Sequence, residues 1–129
     1  RFNLKVIEDA TESLGSHYLS GQKKLATGTL GDIGCLSFNG NKIVTTGGGG
    51  MIVTRDEKVA AQARFLTTQA KSDPLYSRHD EIGYNYRMTN LQAALGVAQM
   101  ERLDEFVEIK RNNFAAALFY FNFSSINCF

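Results

Sequence analysis

The chain has 129 residues, with 14 basic and 13 acidic side chains and a net charge of +1. A hydrophobic fraction of 43% beside 21% charged residues is ordinary for a globular domain with a core of its own. The charge balance gives no footing for nucleic acid or an anionic membrane as partner, and no apolar stretch is long enough for a transmembrane helix.

Cys35 and Cys128 have neither CxxC spacing nor clustered histidines, so neither a metal site nor a disulfide framework is expected. Cys35 lies in an apolar run and reads as a buried reduced thiol, in keeping with a cytoplasmic protein. No signal-peptide pattern is read in these residues. The first residue is Arg1, and five aromatic residues fall between Phe119 and Phe129. Such a tail would be exposed and sticky on a free-standing domain, so both ends read as those of a fragment of something larger.

In chain order, Leu4 to Asp9 is an apolar run closing on two acids, a buried strand that delivers Asp9 at its C-terminal end. Ala10 to Leu14 suits a short helix stopped by Gly15. His17 to Leu25, mixed and polar around Gly21, reads as a small hairpin or loop. Gly31 to Gly34 is turn-like, and Cys35 to Phe38 is the next strand. Asn39 to Gly50 is too rich in glycine for a regular element. Met51 to Thr54 is a strand, and Asp56 caps a helix running to about Ala70.

Lys71 to Tyr86 reads as a loop carrying the only proline, Pro74. Thr89 and Gln92 have capping-box spacing, and the helix they open places Leu91, Ala94, Leu95 and Ala98 on one face, close-packing against a neighbour. A further helical stretch covers Phe106 to Leu118. Strands alternating with helices point to an α/β layout, and their small number points to an incomplete sheet.

The chemistry concentrates in Ser37 to Gly50, where a lysine, Lys42, is followed by four consecutive glycines, Gly47 to Gly50. Ordering such a run costs more backbone freedom than any other residue type would lose, so it belongs where backbone must approach something closely. The phosphate-binding GxxxxGK[ST] loop does not fit, because only Asn41 separates Gly40 from Lys42 and Ile43 follows. The dinucleotide GxGxxG turn does not fit either, because a strand and not a helix follows the glycines. Amine chemistry remains. A lysine condenses with the aldehyde of pyridoxal phosphate, a carboxylate meets the pyridine nitrogen, and hydroxyl and backbone donors hold the phosphate. Lys42, Asp9 and Ser37 supply those three parts. Each also has a structural reading: Lys42 as a solvated loop lysine, Asp9 as the cap of a helix at Ala10, Ser37 as a half-buried hydroxyl.

Five motifs occur in order: Ile7-Glu8-Asp9-Ala10, Gly31-Asp32-Ile33-Gly34, Ser37-Phe38-Asn39-Gly40-Asn41-Lys42, Gly47-Gly48-Gly49-Gly50-Met51 and Gly83-Tyr84-Asn85-Tyr86-Arg87-Met88. Together they closely resemble the pyridoxal-phosphate-dependent sugar aminotransferases of the DegT/DnrJ/StrS family. The Asn-Gly-Asn before the lysine is most similar to enzymes that aminate UDP-linked 4-keto-6-deoxy amino sugars, as in bacillosamine and legionaminic acid pathways. The resemblance covers about Val6 to Arg111 and leaves 112–129 unmatched.

The resemblance implies a fold: α/β, the large three-layer domain of the aspartate-aminotransferase type (fold type I), of which this chain is the second half. It implies pyridoxal 5'-phosphate as cofactor, a nucleotide sugar and glutamate as substrates, and a homodimer with sites at the interface. Lys42 matches the Schiff-base lysine, Asp9 the partner of the ring nitrogen and Ser37 a phosphate ligand. Asn85 matches an asparagine reaching the neighbouring subunit's cofactor phosphate, although it also suits the turn chemistry of its segment. Glu12 falls near the ring, and Arg87 and His79 are substrate-side candidates. A dehydratase of the family carries histidine in place of the lysine, which Lys42 disfavours. The competing expectation is a truncated, non-catalytic remnant, because the family's upstream phosphate-binding segment and its C-terminal domain have no match here.

Overall fold

A computed structural model of the chain describes residues 2–73 and 75–121, the last without its side chain. Pro74 and the aromatic tail beyond Phe121 lie outside the described residues. The elements run β1 (Ile7–Asp9), β2 (His17–Ser20), β3 (Lys23–Ala26), β4 (Ile33–Ser37), β5 (Gly50–Thr54), α1 (Glu57–Thr67), β6 (Lys71–Asp73), β7 (Arg78–His79), α2 (Asn90–Met100) and α3 (Leu103–Phe121).

The central sheet has the order β1-β4-β5. β1 and β4 are parallel, with Asp9 opposite Cys35. β4 and β5 are antiparallel, with Ser37 opposite Gly50. The carboxyl ends of β1 and β4 and the start of β5 therefore share one edge, the place where open α/β sheets take ligands. Cys35 is a half-buried free thiol inside β4.

β1 is shorter than the apolar run. Asp32 takes over at its start, accepting from the Val6 N–H (2.8 Å), while the Asp32 N–H donates to the Val6 carbonyl (2.9 Å). The helix expected over Ala10 to Leu14 does not form. The Asp9 carboxylate accepts from the Thr11 N–H and hydroxyl, and two tight turns follow, closed by Ser13 N to Ala10 O and Ser16 N to Ser13 O. Short polar side chains that bond locally to the backbone compete with a helix in this way, and Gly15, at φ +84°, turns the chain out. The hairpin at His17 to Leu25 is present as β2 and β3, and the segment read as a loop from Lys71 contains a second one, β6 and β7.

Asp56 caps α1 through its carboxylate, which accepts from Lys58 N (2.9 Å) and Val59 N (3.3 Å). The helix stops at Thr67, short of Ala70, because Gln69 and Ala70 both take left-handed φ. The chain then receives Gly83 to Tyr86 along the helix end: Tyr84 N donates to Leu66 O, Gln69 N to Tyr84 O and Tyr86 N to Thr67 O.

The Thr89–Gln92 capping box opens α2 as its spacing required. The inward face of α2 differs from the expected one. Leu91 is 85% exposed and Leu95 is exposed as well. Gln92, Gly96 and Gln99 instead turn toward the Lys42 loop, with Gln99 Oε1 accepting from Thr45 N at 2.8 Å. The hydrophobic core is thin among the described residues: Ala10, Phe38, Val44 and Ala70, joined by the polar Thr46. Three of these, Phe38, Val44 and Thr46, bracket Lys42, so the little core there is sits under the lysine loop. No described helix is long and apolar enough to cross a membrane.

Candidate active site

The Lys42 loop has no regular structure, yet several of its backbone groups are paired. Lys42 N donates to Asn39 O (3.1 Å), Thr46 N to Phe38 O (2.9 Å) and Phe38 N to Gly49 O (3.0 Å). The Thr46 hydroxyl donates to the Gly48 carbonyl. Buried Val44 and Thr46 anchor the loop on one side of Lys42 and Phe38 on the other. The glycine run serves this anchoring. Gly49 has φ +90°, and a Cβ there would stand 2.8 Å from Met88 Cγ; at Gly50 it would stand 2.5 Å from the Leu36 carbonyl oxygen. The close approach that the run demanded is thus to the protein's own backbone and side chains.

The Lys42 side chain is only 12% exposed, and its ammonium pairs with the Glu12 carboxylate, whose side chain is 77% exposed. Asp9 stands at the end of β1. Both hydrogen bonds it accepts fall on Oδ1, from the Thr11 hydroxyl (2.7 Å) and the Thr11 N–H (3.2 Å). The Thr11 hydroxyl holds the Asp9 carboxyl below the usual aspartate range, the Thr11 N–H adds to this, and the charge of Lys42 contributes. The carboxylate is therefore ionised in neutral solution, and its Oδ2 meets no donor among the described residues. Ser37, at the end of β4, is half-buried, and its oxygen accepts from Asn39 N at 3.3 Å. A cavity of about 310 Å³ opens between these elements, with Thr11, Glu12, Ser37, Asn41 and Lys42 in its wall and α3 across it.

The structure thus brings Lys42, Ser37 and Glu12 to one cavity, with Asp9 close enough to feel the charge of Lys42. Asn85 and Arg87 are not part of it. They border an open hollow of about 440 Å³ with Gly49, Gly50 and Met88. His79 is further removed in function: its Nδ1 bonds the Gln69 carbonyl (2.6 Å), which ties the β6–β7 hairpin to the end of α1.

Three supporting residues were not read from the sequence. Thr11 orients Asp9, and an aspartate followed two residues later by threonine is the signal for such a turn. Glu8 accepts from the backbone N–H groups of Gly28, Leu30 and Gly31, and so fixes the approach to β4. Gln99 holds Thr45. Nothing local marks the last two, because their partners lie far away in the chain.

The residues present fit pyridoxal phosphate. A shielded amine, an ionised carboxylate with one free oxygen and a half-buried hydroxyl converge at the carboxyl edge of a parallel strand pair, which is the donor set its aldehyde, ring nitrogen and phosphate require.

The sequence profile described as the DegT/DnrJ/EryC1/StrS aminotransferase family matches residues 1–125. EpsN of Bacillus subtilis is 50% identical over 113 residues, covering 88% of this chain and 28% of that protein. GDP-perosamine synthase of Caulobacter vibrioides is 51% identical over 105 residues, covering 81% of this chain and 27% of that protein. Among solved structures, the GDP-4-keto-6-deoxy-D-mannose-3-dehydratase of E. coli with bound hydrated PLP superposes with a TM-score of 0.78 at 25% identity, over 93% of this chain and 34% of that one. The chain spans 27–28% of the length of the curated relatives it matches. Its fold is a partial α/β domain of the fold type I pyridoxal-phosphate enzymes, and by sequence and structure together the chain belongs to the DegT/DnrJ/EryC1/StrS aminotransferase family.

Proposed function

We propose that the chain is the lysine-bearing part of the large domain of a cytoplasmic, pyridoxal-phosphate-dependent aminotransferase. Its reaction moves an amino group from glutamate to the 4-keto group of a nucleotide-linked sugar, in the making of surface polysaccharide or another glycan. The observation that carries this reading is the shielded Lys42 amine in one cavity with Ser37, beside an ionised Asp9. The similarity to a GDP-perosamine synthase, which makes a nucleotide-linked sugar, supports the substrate class.

Bound at this site, pyridoxal phosphate supplies the electron sink for amino-group transfer. The chain's own residues do the rest. Lys42 Nζ would hold the cofactor through its amine and would be the base that moves the proton between the two carbon centres. The free Oδ2 of Asp9 would keep the proton on the ring nitrogen, while Thr11 fixes the carboxylate through Oδ1. The Ser37 hydroxyl donates to the phosphate. Asn85, which lies outside the Lys42 cavity, serves the phosphate of the partner's cofactor in a homodimer.

The test is borohydride trapping of the chain with pyridoxal phosphate, followed by peptide mapping, with Lys42→Ala as control. A stable adduct confined to the Lys42 peptide and lost in the variant is the expected result. A second reading, a remnant with no activity as an isolated chain, is favoured by the thin core and by exposed apolar side chains such as Ile7 and Ile52. Labels scattered over several lysines, or no label, would establish it.

A further inference from the structure

α3 runs across the lysine loop, and two of its side chains have no role in the reading above. Val107, Lys110 and Arg111 form the far wall of the Lys42 cavity. Lys110 also borders a second hollow, of about 230 Å³, on the other side of Lys42, together with Phe106 and Ile109. The helix is seated by Leu103 and Val107, which pack on Gly15: a Cβ there would meet Val107 Cγ2 at 2.6 Å. Leu103, Phe106 and Val107 are the half-buried stripe of α3. Lys110 follows Phe106 by four residues and Val107 by three, so it lies on their side of the helix, and both it and Arg111 are exposed to solvent where they border the cavity.

Among the described residues neither cation has a carboxylate partner. The ion pairs among the described residues are Lys5–Asp32, Lys42–Glu12, Arg78–Asp80 and Arg102–Glu105. The cavity therefore carries Lys42, Lys110 and Arg111 against one acid, Glu12. Ser16, Ser37 and Asn41 add neutral donors in the same cavity. Cations at the rim of a concave, partly apolar cavity raise the positive potential at its mouth, and an arginine fork beside a lysine matches the geometry of phosphoryl oxygens.

We propose that Lys110 and Arg111 form a subsite for a phosphoryl anion at the mouth of the Lys42 cavity. The subsite rests on the cofactor and substrate reading given above and adds the group that recognises the anion. Two sources share this chemistry, the phosphate of the cofactor and the diphosphate of a nucleotide sugar.

The experiment compares the wild-type chain with a Lys110→Gln/Arg111→Gln double variant in two arms. One arm measures the rate of borohydride-fixed adduct formation at Lys42 with pyridoxal phosphate and with pyridoxal, which lacks the phosphate. The other measures equilibrium binding of GDP. In the wild type a preference for pyridoxal phosphate over pyridoxal, or measurable GDP binding, is expected. Loss of either by about tenfold or more in the double variant supports the subsite, the size expected when charge-assisted bonds to an anion are removed. Loss in the first arm assigns the cofactor phosphate, and loss in the second the nucleotide diphosphate. A wild type with neither property, or a variant that retains both, overturns the proposal. Should the double variant lose its helical circular dichroism, Lys110→Arg/Arg111→Lys replaces it, with binding retained and falling steeply with salt; binding indifferent to salt overturns the proposal. The GDP arm needs no adduct at Lys42, so a failure of the cofactor reading and a failure of this subsite are separately visible.

Discussion

The Lys42 ammonium is paired with the Glu12 carboxylate, a contact that joins the loop after β4 to the turn after β1. Glu12 lies in the Ala10 to Leu14 segment that folds as turns. The pair also occupies the nitrogen that an incoming aldehyde must reach. Because the Glu12 side chain is largely exposed, such a pair contributes only about 0.2–1 kcal/mol. Glu12→Gln therefore accelerates adduct formation at Lys42 by at most about fivefold and leaves its location unchanged. Stopped-time borohydride trapping measures this. A slower rate in the variant would show that Glu12 assists the lysine and does not merely hold it.

Asp9→Asn separates binding from chemistry. The asparagine retains an oxygen for Thr11 but has no charge to offer a ring nitrogen. On the glutamate-donor reading proposed above, the adduct at Lys42 persists, whereas exchange of the glutamate α-hydrogen with deuterated solvent falls by about 10²–10³-fold, the usual cost of removing one preorganised electrostatic partner. Equal exchange in the two proteins would remove Asp9 from the proposed mechanism.

Glu8 makes the stability of the chain depend on acid. The Gly31 N–H is the main cause holding its carboxyl below the usual glutamate range; burial opposes this, and the Gly28 and Leu30 N–H groups reinforce it. A carboxyl depressed by folding contributes stability that is fully present above its unfolded value and is lost as the pH falls through the folded one. Glu8→Gln consequently melts at a lower temperature than the wild type in neutral solution, and the difference narrows below about pH 4. Thermal melts across that range test it; a gap that widens with acid would reverse the sign and refute the assignment.

The fold was legible wherever a local signal decided it. Asp56 and Thr89 announce their helices by cap chemistry that operates within three residues. Asp9 and Ser37 end short apolar runs, and the structure sets them at the ends of adjacent parallel strands. What escaped was set by distant partners. The helix expected after Asp9 lost to the side-chain bonds of Asp9, Thr11 and Gly15's turn. The strands β6 and β7 are short and polar, with all but Asp73 exposed, so they carry no alternating pattern for a reader to find. On α2 the apolar stripe was visible, but its inward face is chosen by contacts to Thr45 and Thr46, residues about fifty positions earlier.

That choice of face yields the sharpest test of how α2 supports the site. A Cβ at Gly96 already stands 3.0 Å from Thr46 Cγ2, so the branched side chain in Gly96→Val drives the helix off the loop, at the cost of about 1–3 kcal/mol typical of overpacking. Gln99→Ala removes the bond to Thr45 N and costs about 0.5–1.5 kcal/mol. Leu91→Lys, on the exposed stripe, stays within about 0.5 kcal/mol of the wild type. Denaturant midpoints rank the three. Thr45 and Thr46 lie just beyond Lys42 and hold its loop to Phe38, so the same order extends to the chemistry: Gly96→Val and Gln99→Ala slow adduct formation at Lys42, and Leu91→Lys leaves it untouched. If Leu91→Lys proved the most damaging, the hydrophobic stripe and not the Gln92–Gly96–Gln99 face would be what seats the helix on the chain, and the support drawn here for the lysine loop would fall with it.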